Sequence, residues 1–136
     1  MKRKGSTSDF IPQRNRELTA RFRELLATAE GVPLRDMFGM AARQPCSRFW
    51  VAEERAAEVV SAILRGGDTS SFLPQKKRMY EEICRRVEAY RRRHPEATLA
   101  DAAHAVVNGG APEFYLTPDS AMVIIYKSRR KKPTQP

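Results

Sequence analysis

The chain has 136 residues, of which 41% are hydrophobic and 30% are charged, and its formal net charge is +9. This length allows one domain or two small ones, and the apolar content excludes a wholly disordered chain. The longest strongly apolar run, Ala121–Tyr126, is far shorter than the roughly 20 residues that span a bilayer. No secretory signal is visible, and the only cysteines, Cys46 and Cys84, indicate two incidental thiols in a reducing compartment. We therefore expect a soluble, cytoplasmic protein without a membrane partner.

Most of the positive charge lies at the two ends of the chain. Residues 9–126 hold 17 basic and 16 acidic side chains, so this segment is close to neutral. The end segments 1–9 and 129–136 lack apolar spacing and are predicted to be disordered basic tails. Tails of this kind attract polyanions, including nucleic acid. The charges in question are Lys2, Arg3 and Lys4 at one end, and Lys127, Arg129, Arg130, Lys131 and Lys132 at the other.

Residues 10–65 show the apolar spacing of three helices. The first is predicted over about Gln13–Ala29, and Gly31 suits the left-handed position just past its end. The second begins at Pro33 and stops before Pro45. Proline is tolerated in the first turn of a helix but cannot continue its hydrogen-bond ladder.

An aromatic elbow at Phe49 and Trp50 leads into the third helix, predicted over about Glu53–Arg65. All three helices place apolar residues on one face at helical spacing. The inward positions predicted in this way are Leu18, Phe22, Leu25, Leu26, Leu34, Met37, Phe38, Ala41, Ala56, Val59, Val60, Ile63 and Leu64.

Residues 66–74 are rich in Gly, Ser and Thr and are predicted to be a linker. Residues 75–128 should then hold three more helices. The first of these is the strongly basic stretch Gln75–Arg93. The second is expected to begin after Thr98, with Asp101 three residues on as a variant of the capping box.

The last element is ambiguous in sequence. Met122–Tyr126 has the composition of a strand, whereas Thr117 followed by Pro118 suits the start of a helix. The stretch at the equivalent place in the first half, Glu53–Leu64, has a helical composition. On that ground we predict a helix preceded by a short extended elbow.

The two halves of the chain align without a gap when Glu17 is set beside Glu82. Identical residues then fall at apolar, capping and turn positions, which favours an internal duplication over chance. The sequence therefore predicts an all-α fold of two tandem three-helix repeats, each consisting of helix, helix, aromatic elbow and helix. The identical pairs include Glu17/Glu82, Arg21/Arg86, Leu34/Leu99, Asp36/Asp101, Phe49/Phe114 and Ala56/Ala121.

This order of elements resembles the helix-turn-helix three-helix unit, at the level of pattern. The resemblance implies DNA binding through a last helix that enters the major groove. The third helices depart from it, because Glu53–Arg65 has three glutamates against two arginines and Thr117–Tyr126 has no basic residue. We therefore do not assign either third helix as a reader of bases.

The basic helix Gln75–Arg93 is the better candidate for contact with phosphates. Arg78, Arg85 and Arg92 recur every seven residues, which places them near one face of a helix. We expect them on one uncovered face, away from the acidic residues that follow this helix. We predict that these residues bind nucleic acid, with DNA as the expected form. The full set is Lys76, Lys77, Arg78, Arg85, Arg86, Arg92, Arg93, Lys127, Arg129, Arg130, Lys131 and Lys132.

Each half also carries two adjacent aromatic residues, Phe49-Trp50 and Phe114-Tyr115. Their matched placement favours packing of the elbow into the core. If one member of each pair is exposed, Trp50 and Tyr115 are the candidates for a partner-binding patch. The alternative function is therefore a protein-interaction or assembly module, with a protein partner or a homodimer, in which the tails only confer solubility.

Catalysis finds little support in the sequence. Neither His94 nor His104 stands at metal-ligand spacing with cysteines or carboxylates, and no glycine-rich phosphate loop follows a strand. We expect a protein that is not an enzyme and that has no cofactor.

Overall fold

The computed structural model describes residues 10–130, which form six α-helices. The all-α class is confirmed, and the ambiguous last element is a helix. The predicted tail 1–9 and residues 131–136 of the predicted tail 129–136 lie outside the described residues, whereas residues 129 and 130 continue the last helix. The helices are α1 (Ile11–Thr28), α2 (Leu34–Ala42), α3 (Glu53–Leu64), α4 (Pro74–Arg93), α5 (Leu99–Val107) and α6 (Pro118–Arg130).

The ends of the helices follow from local chemistry. Thr98 and Asp101 form a reciprocal capping box at the start of α5, with N–H to oxygen distances of 3.0 and 3.3 Å. At the start of α6, the Thr117 hydroxyl accepts from the Ser120 N–H at 3.1 Å. Gly31 follows α1 with a φ of +73°, a left-handed conformation that favours glycine. These signals are readable in the sequence, and the predicted bounds were close.

The inward faces form one continuous core with contributions from all six helices. In the first half, the rings of Phe22 and Phe38 stack with centroids 4.8 Å apart, and Tyr126 of α6 packs on Phe38 at 5.5 Å. Three predicted inward positions are wrong, because Leu26, Leu34 and Leu64 are 48%, 50% and 41% exposed. They lie at the C-terminal end of α1, the N-terminal end of α2 and the C-terminal end of α3.

The third helix of each half packs against the other half. α3 contacts α4 and α5, whereas α6 contacts α1 and α2. Within the described residues, α3 makes no helix–helix contact with α1 or α2, and α6 makes none with α4 or α5. The helices therefore group as α1, α2 and α6, and as α4, α5 and α3.

The two elbows meet where the chain crosses between these groups. Cys46 and Ala111 form an isolated antiparallel bridge, with both N–H to O distances at 3.0 Å. The Phe49 N–H donates to the Val107 carbonyl at 2.9 Å. The Phe114 N–H donates to the Ala42 carbonyl, also at 2.9 Å. Each elbow is thus hydrogen-bonded to the end of the second helix of the other half.

Across residues 10–130, no helix has both the length and the apolar content needed to cross a bilayer.

The packing of α6 on α1 and α2 predicts a large cost for truncating its buried face. Ile125 is fully buried, so Ile125→Ala should lower the free energy of unfolding by about 3 kcal/mol. Val123, on the same helix and 46% exposed, is the matched control, and Val123→Ala should cost less than about 1 kcal/mol. Urea denaturation of both variants measures the difference, and equal costs would contradict the packing of α6.

Candidate nucleic-acid interface

α4 is amphipathic, with an apolar face in the core and a basic face outside. Pro74 occupies its first turn, where a missing N–H costs nothing. The buried residues recur at helical spacing toward α3 and α5. They are Met79, Tyr80, Ile83, Cys84 and Val87.

The N-terminal part of the basic face is bound to neighbouring acidic residues. Arg78 forms a forked pair with the Glu113 carboxylate, at 2.7 and 3.2 Å, and its guanidinium lies 5.2 Å from the ring centroid of Tyr115. Lys77 pairs with Glu81 at 2.8 Å. Hydrogen bonding to Glu113 raises the pKa of Arg78, because the carboxylate stabilises the charged guanidinium. Lys76 is exposed.

Glu82 holds the next two arginines. It accepts hydrogen bonds from Arg85 and from Arg86, the latter at 2.7 Å. Arg86 also donates to the Gly110 carbonyl at 3.1 Å and lies over the ring of Phe49 at 5.4 Å. Partial burial acts to raise the pKa of Glu82, but the hydrogen bonds from Arg86 and Arg85 outweigh it, and the net pKa is lowered.

These contacts correct one sequence-based expectation. Arg78, Arg85 and Arg92 are all exposed, as predicted. The prediction that they lie away from the acidic residues following this helix is wrong, because Arg78 is paired with Glu113. Helical spacing places arginines on a face, but it does not show which carboxylates the fold brings to that face.

The C-terminal end of α4 differs from its beginning. Arg91, Arg92 and Arg93 are exposed, and none forms an ion pair within residues 10–130. Arg91 and Arg92 line a shallow cleft of about 440 Å³ together with Leu64, Glu88 and Pro95. The negative end of the helix dipole stabilises cations here. Three exposed arginines thus occupy consecutive positions in the last turn of α4, which stops at His94.

The predicted cluster after Tyr126 is only partly described. Lys127 and Arg129 lie on the last turns of α6, are exposed and form no ion pair in the described chain. Arg130 is the last residue of α6, and Lys131 and Lys132 lie outside the described residues.

The aromatic pairs belong to the core. Phe49, Phe114 and Trp50 are buried, and Tyr115 is half-buried. The rings stack across the halves, Phe49 on Tyr115 at 6.0 Å and Trp50 on Phe114 at 6.2 Å. Trp50 is therefore not on an open surface. Burial and the nearby carboxylates raise the pKa of Tyr115 to about 12, so its hydroxyl stays protonated at neutral pH.

Sequence reasoning did not find a groove between α1 and α6. It has a volume of about 500 Å³. A signal was present, because Arg16 and Arg23 stand two helical turns apart on α1 while the equivalent positions of the second half hold Glu81 and Glu88. The groove is lined by Pro12, Asn15, Arg16, Thr19, Ala20, Arg23 and Ser128.

In the part of the chain that the structure describes, no three His, Cys, Asp or Glu side chains are grouped to hold a metal ion. Burial raises the pKa of Cys46 to about 11 and raises that of Cys84 as well. Both thiols are therefore protonated near neutral pH, which is unfavourable for nucleophilic chemistry or metal binding.

Comparison with family models, with curated proteins and with solved structures found no match.

The position of Glu82 between two arginines predicts a pH-dependent contribution to stability. Because its pKa is lowered on folding, that contribution should be complete above the unfolded pKa of about 4.3 and be lost as the pH falls through the lower folded value. Glu82→Gln should cost about 1 kcal/mol at pH 7, allowing for solvent screening. The difference from wild type should shrink below about pH 4.3. Urea denaturation between pH 3 and pH 7 checks this.

The matched control for this experiment is Glu96→Gln, because Glu96 is exposed and forms no ion pair within residues 10–130. If the free energies of unfolding of Glu82→Gln and wild type differ by the same amount at pH 3 and at pH 7, the charge of Glu82 does not contribute to stability.

Proposed function

We propose that this protein binds the phosphate backbone of nucleic acid, with duplex DNA as the expected form, and that it is a binding protein without catalytic activity. The observation that carries the proposal is the triplet Arg91, Arg92 and Arg93 at the end of α4, exposed and without an ion pair among the described residues. Arginine is suited to phosphate because its planar guanidinium donates two hydrogen bonds to two oxygens.

The distribution of acidic residues restricts the proposed contact to part of α4. Arg78 is paired with Glu113, and Arg85 and Arg86 share Glu82, so a phosphate would have to compete with carboxylates already in place. Among the described residues, no carboxylate is paired with an arginine at the end of α4. We therefore assign the main contact to the end of α4 and a secondary contact to Lys76.

The C-terminal cations extend this proposal. Lys127 and Arg129 are exposed on α6, and the sequence continues with Arg130, Lys131 and Lys132. Such a cluster adds phosphate contacts without sequence information. Binding should therefore be steeply dependent on salt and weakly dependent on base sequence.

We also propose that the six helices are two copies of one three-helix unit that exchange their third helices. The bridge joins Cys46 to Ala111, which are equivalent positions in the two halves, as an axis of twofold symmetry requires. The hydrogen bonds from Phe49 to Val107 and from Phe114 to Ala42 are likewise equivalent to each other. The matching helix contacts of the two groups support this interpretation.

The state of the cysteines supports a reducing compartment, and we propose the cytoplasm. Cys46 and Cys84 are buried and form no disulfide.

The proposal predicts that the end of α4 controls both affinity and salt dependence. The triple variant Arg91→Gln, Arg92→Gln and Arg93→Gln should bind a duplex about tenfold or more weakly at low salt. The slope of log K against log salt should fall by about 2 to 3, since each lost phosphate contact removes about 0.9. Fluorescence anisotropy with a labelled duplex at several salt concentrations measures both quantities.

A control with the same net charge is Arg35→Gln, Arg43→Gln and Arg65→Gln, three exposed arginines on other elements. It should lose much less affinity and keep most of the slope. Equal losses in the two triple variants would show that total charge, and not the end of α4, is responsible. Absence of binding by the wild type at low salt would remove the proposal.

The proposed exchange of helices predicts the behaviour of half a chain. Residues 1–65 contain α1, α2 and α3 but lack α6, which covers α1 and α2 in the intact protein. This fragment should be largely unfolded when dilute and gain helix with concentration, as α3 of each copy covers the partner copy. Circular dichroism and sedimentation over a hundredfold concentration range test this, and a stable folded monomer would contradict it.

A further inference from the structure

We propose that the groove between α1 and α6 is a binding site for a phosphate group. The residues that would contact it are Asn15, Arg16, Thr19 and Arg23 of α1 and Ser128 of α6. None of them belongs to the set assigned to nucleic acid above. The site lies on different helices from the arginines at the end of α4, so it can be confirmed or refuted separately.

The groove has the size and the charge of an anion site. Its volume of about 500 Å³ falls within the range of small-molecule pockets. Arg16 and Arg23 are exposed, form no ion pair within residues 10–130, and are separated by two helical turns, about 10.5 Å along the axis. No carboxylate of residues 10–130 lines the groove. Two long cationic side chains thus flank a space to which the described residues bring no counter-charge.

The floor of the groove supplies neutral hydrogen-bonding groups. Thr19 is only 7% exposed, and its hydroxyl has no hydrogen-bond partner in the described part of the protein. Buried hydroxyls are normally paired, so this one is an exception, and its oxygen is closed to solvent in this rotamer. Threonine in a helix populates two χ1 rotamers. A change to the other rotamer would place the Thr19 hydroxyl where its methyl group now lies, and the proposed phosphate oxygen would be its partner there. Asn15 and Ser128 add further polar groups at the same place.

The other half of the chain provides an internal comparison. The positions equivalent to Asn15, Arg16, Thr19 and Arg23 hold, in the same order, Tyr80, Glu81, Cys84 and Glu88. The α3–α4 crossing thus has carboxylates at the two places where the α1–α6 crossing has arginines.

That second crossing is covered at Tyr80, whereas Glu88 lines the cleft described above at the end of α4. The ring of Phe72, in the segment between α3 and α4, packs on Tyr80 with centroids 5.0 Å apart. The α1–α6 groove remains open to solvent, and it alone combines arginines with an unpaired buried hydroxyl within residues 10–130. The same helix crossing in the other half therefore lacks these polar groups, so helix packing alone does not account for the composition of the groove.

A phosphate group is the ligand that fits these donors. Guanidinium groups bind phosphate oxygens in pairs, and hydroxyl and amide groups complete the coordination. The same chemistry could come from a terminal phosphate on a small molecule or from the phosphodiester of a nucleic-acid strand. The experiment below separates these two sources.

The test is a nuclear magnetic resonance titration of the full chain with inorganic phosphate at constant ionic strength. We expect the largest saturable shifts at the amides of residues 12–23 and around Ser128. Two further arms use thymidine 5′-monophosphate and a thymidine trinucleotide without a terminal phosphate. Tighter binding of the monophosphate identifies a monoester ligand, and tighter binding of the trinucleotide identifies a strand; either result supports the site.

Variants separate the groove from general charge. Arg16→Glu with Arg23→Glu installs the residues found at the equivalent positions of the second half, and it should weaken phosphate binding at least tenfold. Thr19→Val, which removes the hydroxyl and keeps the shape, should weaken it severalfold. Arg35→Glu with Arg43→Glu makes the same change of charge at two exposed arginines outside both proposed contacts and should leave phosphate binding at the groove unchanged. Shifts spread over all basic residues, or binding that survives in the Arg16/Arg23 variant, would overturn the proposal.

Discussion

The backbone bridge between Cys46 and Ala111 is the contact on which the rest of the fold depends. Backbone N–H and C=O groups that are withdrawn from water must be paired, and the two elbows pair with each other at this point. Each elbow crosses to the other half at this point. The helix that follows it therefore packs against the first two helices of that half. α3 completes the core of α4 and α5, and α6 completes that of α1 and α2. Neither half buries its apolar faces without the other.

This arrangement also decides which cations are available to a ligand. Folding brings Glu113, from beyond the end of α5, to Arg78, and it places Glu82 between Arg85 and Arg86. The helix α4 is therefore divided into a first part in which Arg78, Arg85 and Arg86 are ion-paired and an end at which the arginines are not. Exposed ion pairs of this kind add little stability individually, about 0–1 kcal/mol each. They bear on the proposed phosphate contact, because an arginine that already holds a carboxylate is a poorer partner for phosphate than an unpaired one.

The positions of the helices could be predicted well from the sequence, but which helices pack against each other could not. Apolar spacing and caps such as Thr98 with Asp101 are local properties, and they predicted six helices with nearly correct ends. Which helix packs against which is not a local property of the sequence, since an apolar stripe fits any complementary stripe. The same reason explains the errors in the site. Periodicity placed Arg78 on the outer face, but its pairing with Glu113 depends on a contact across the fold. The groove beside Thr19 needs two helices to exist at all.

The alignment of the two halves suggests where function resides in such a molecule. Positions that are identical in the two halves include buried ones, such as Phe49 with Phe114 and Ala56 with Ala121, and these maintain the shared packing. Surface positions are under no such constraint and can diverge, because exposed substitutions usually change stability by less than about 0.5 kcal/mol. Arginines lie along the α1–α6 crossing, and glutamates and an aromatic contact lie at the corresponding place of the other half. The core residues are therefore informative about how the protein folds, and the positions at which the halves differ are the ones at which the proposed binding can be tested.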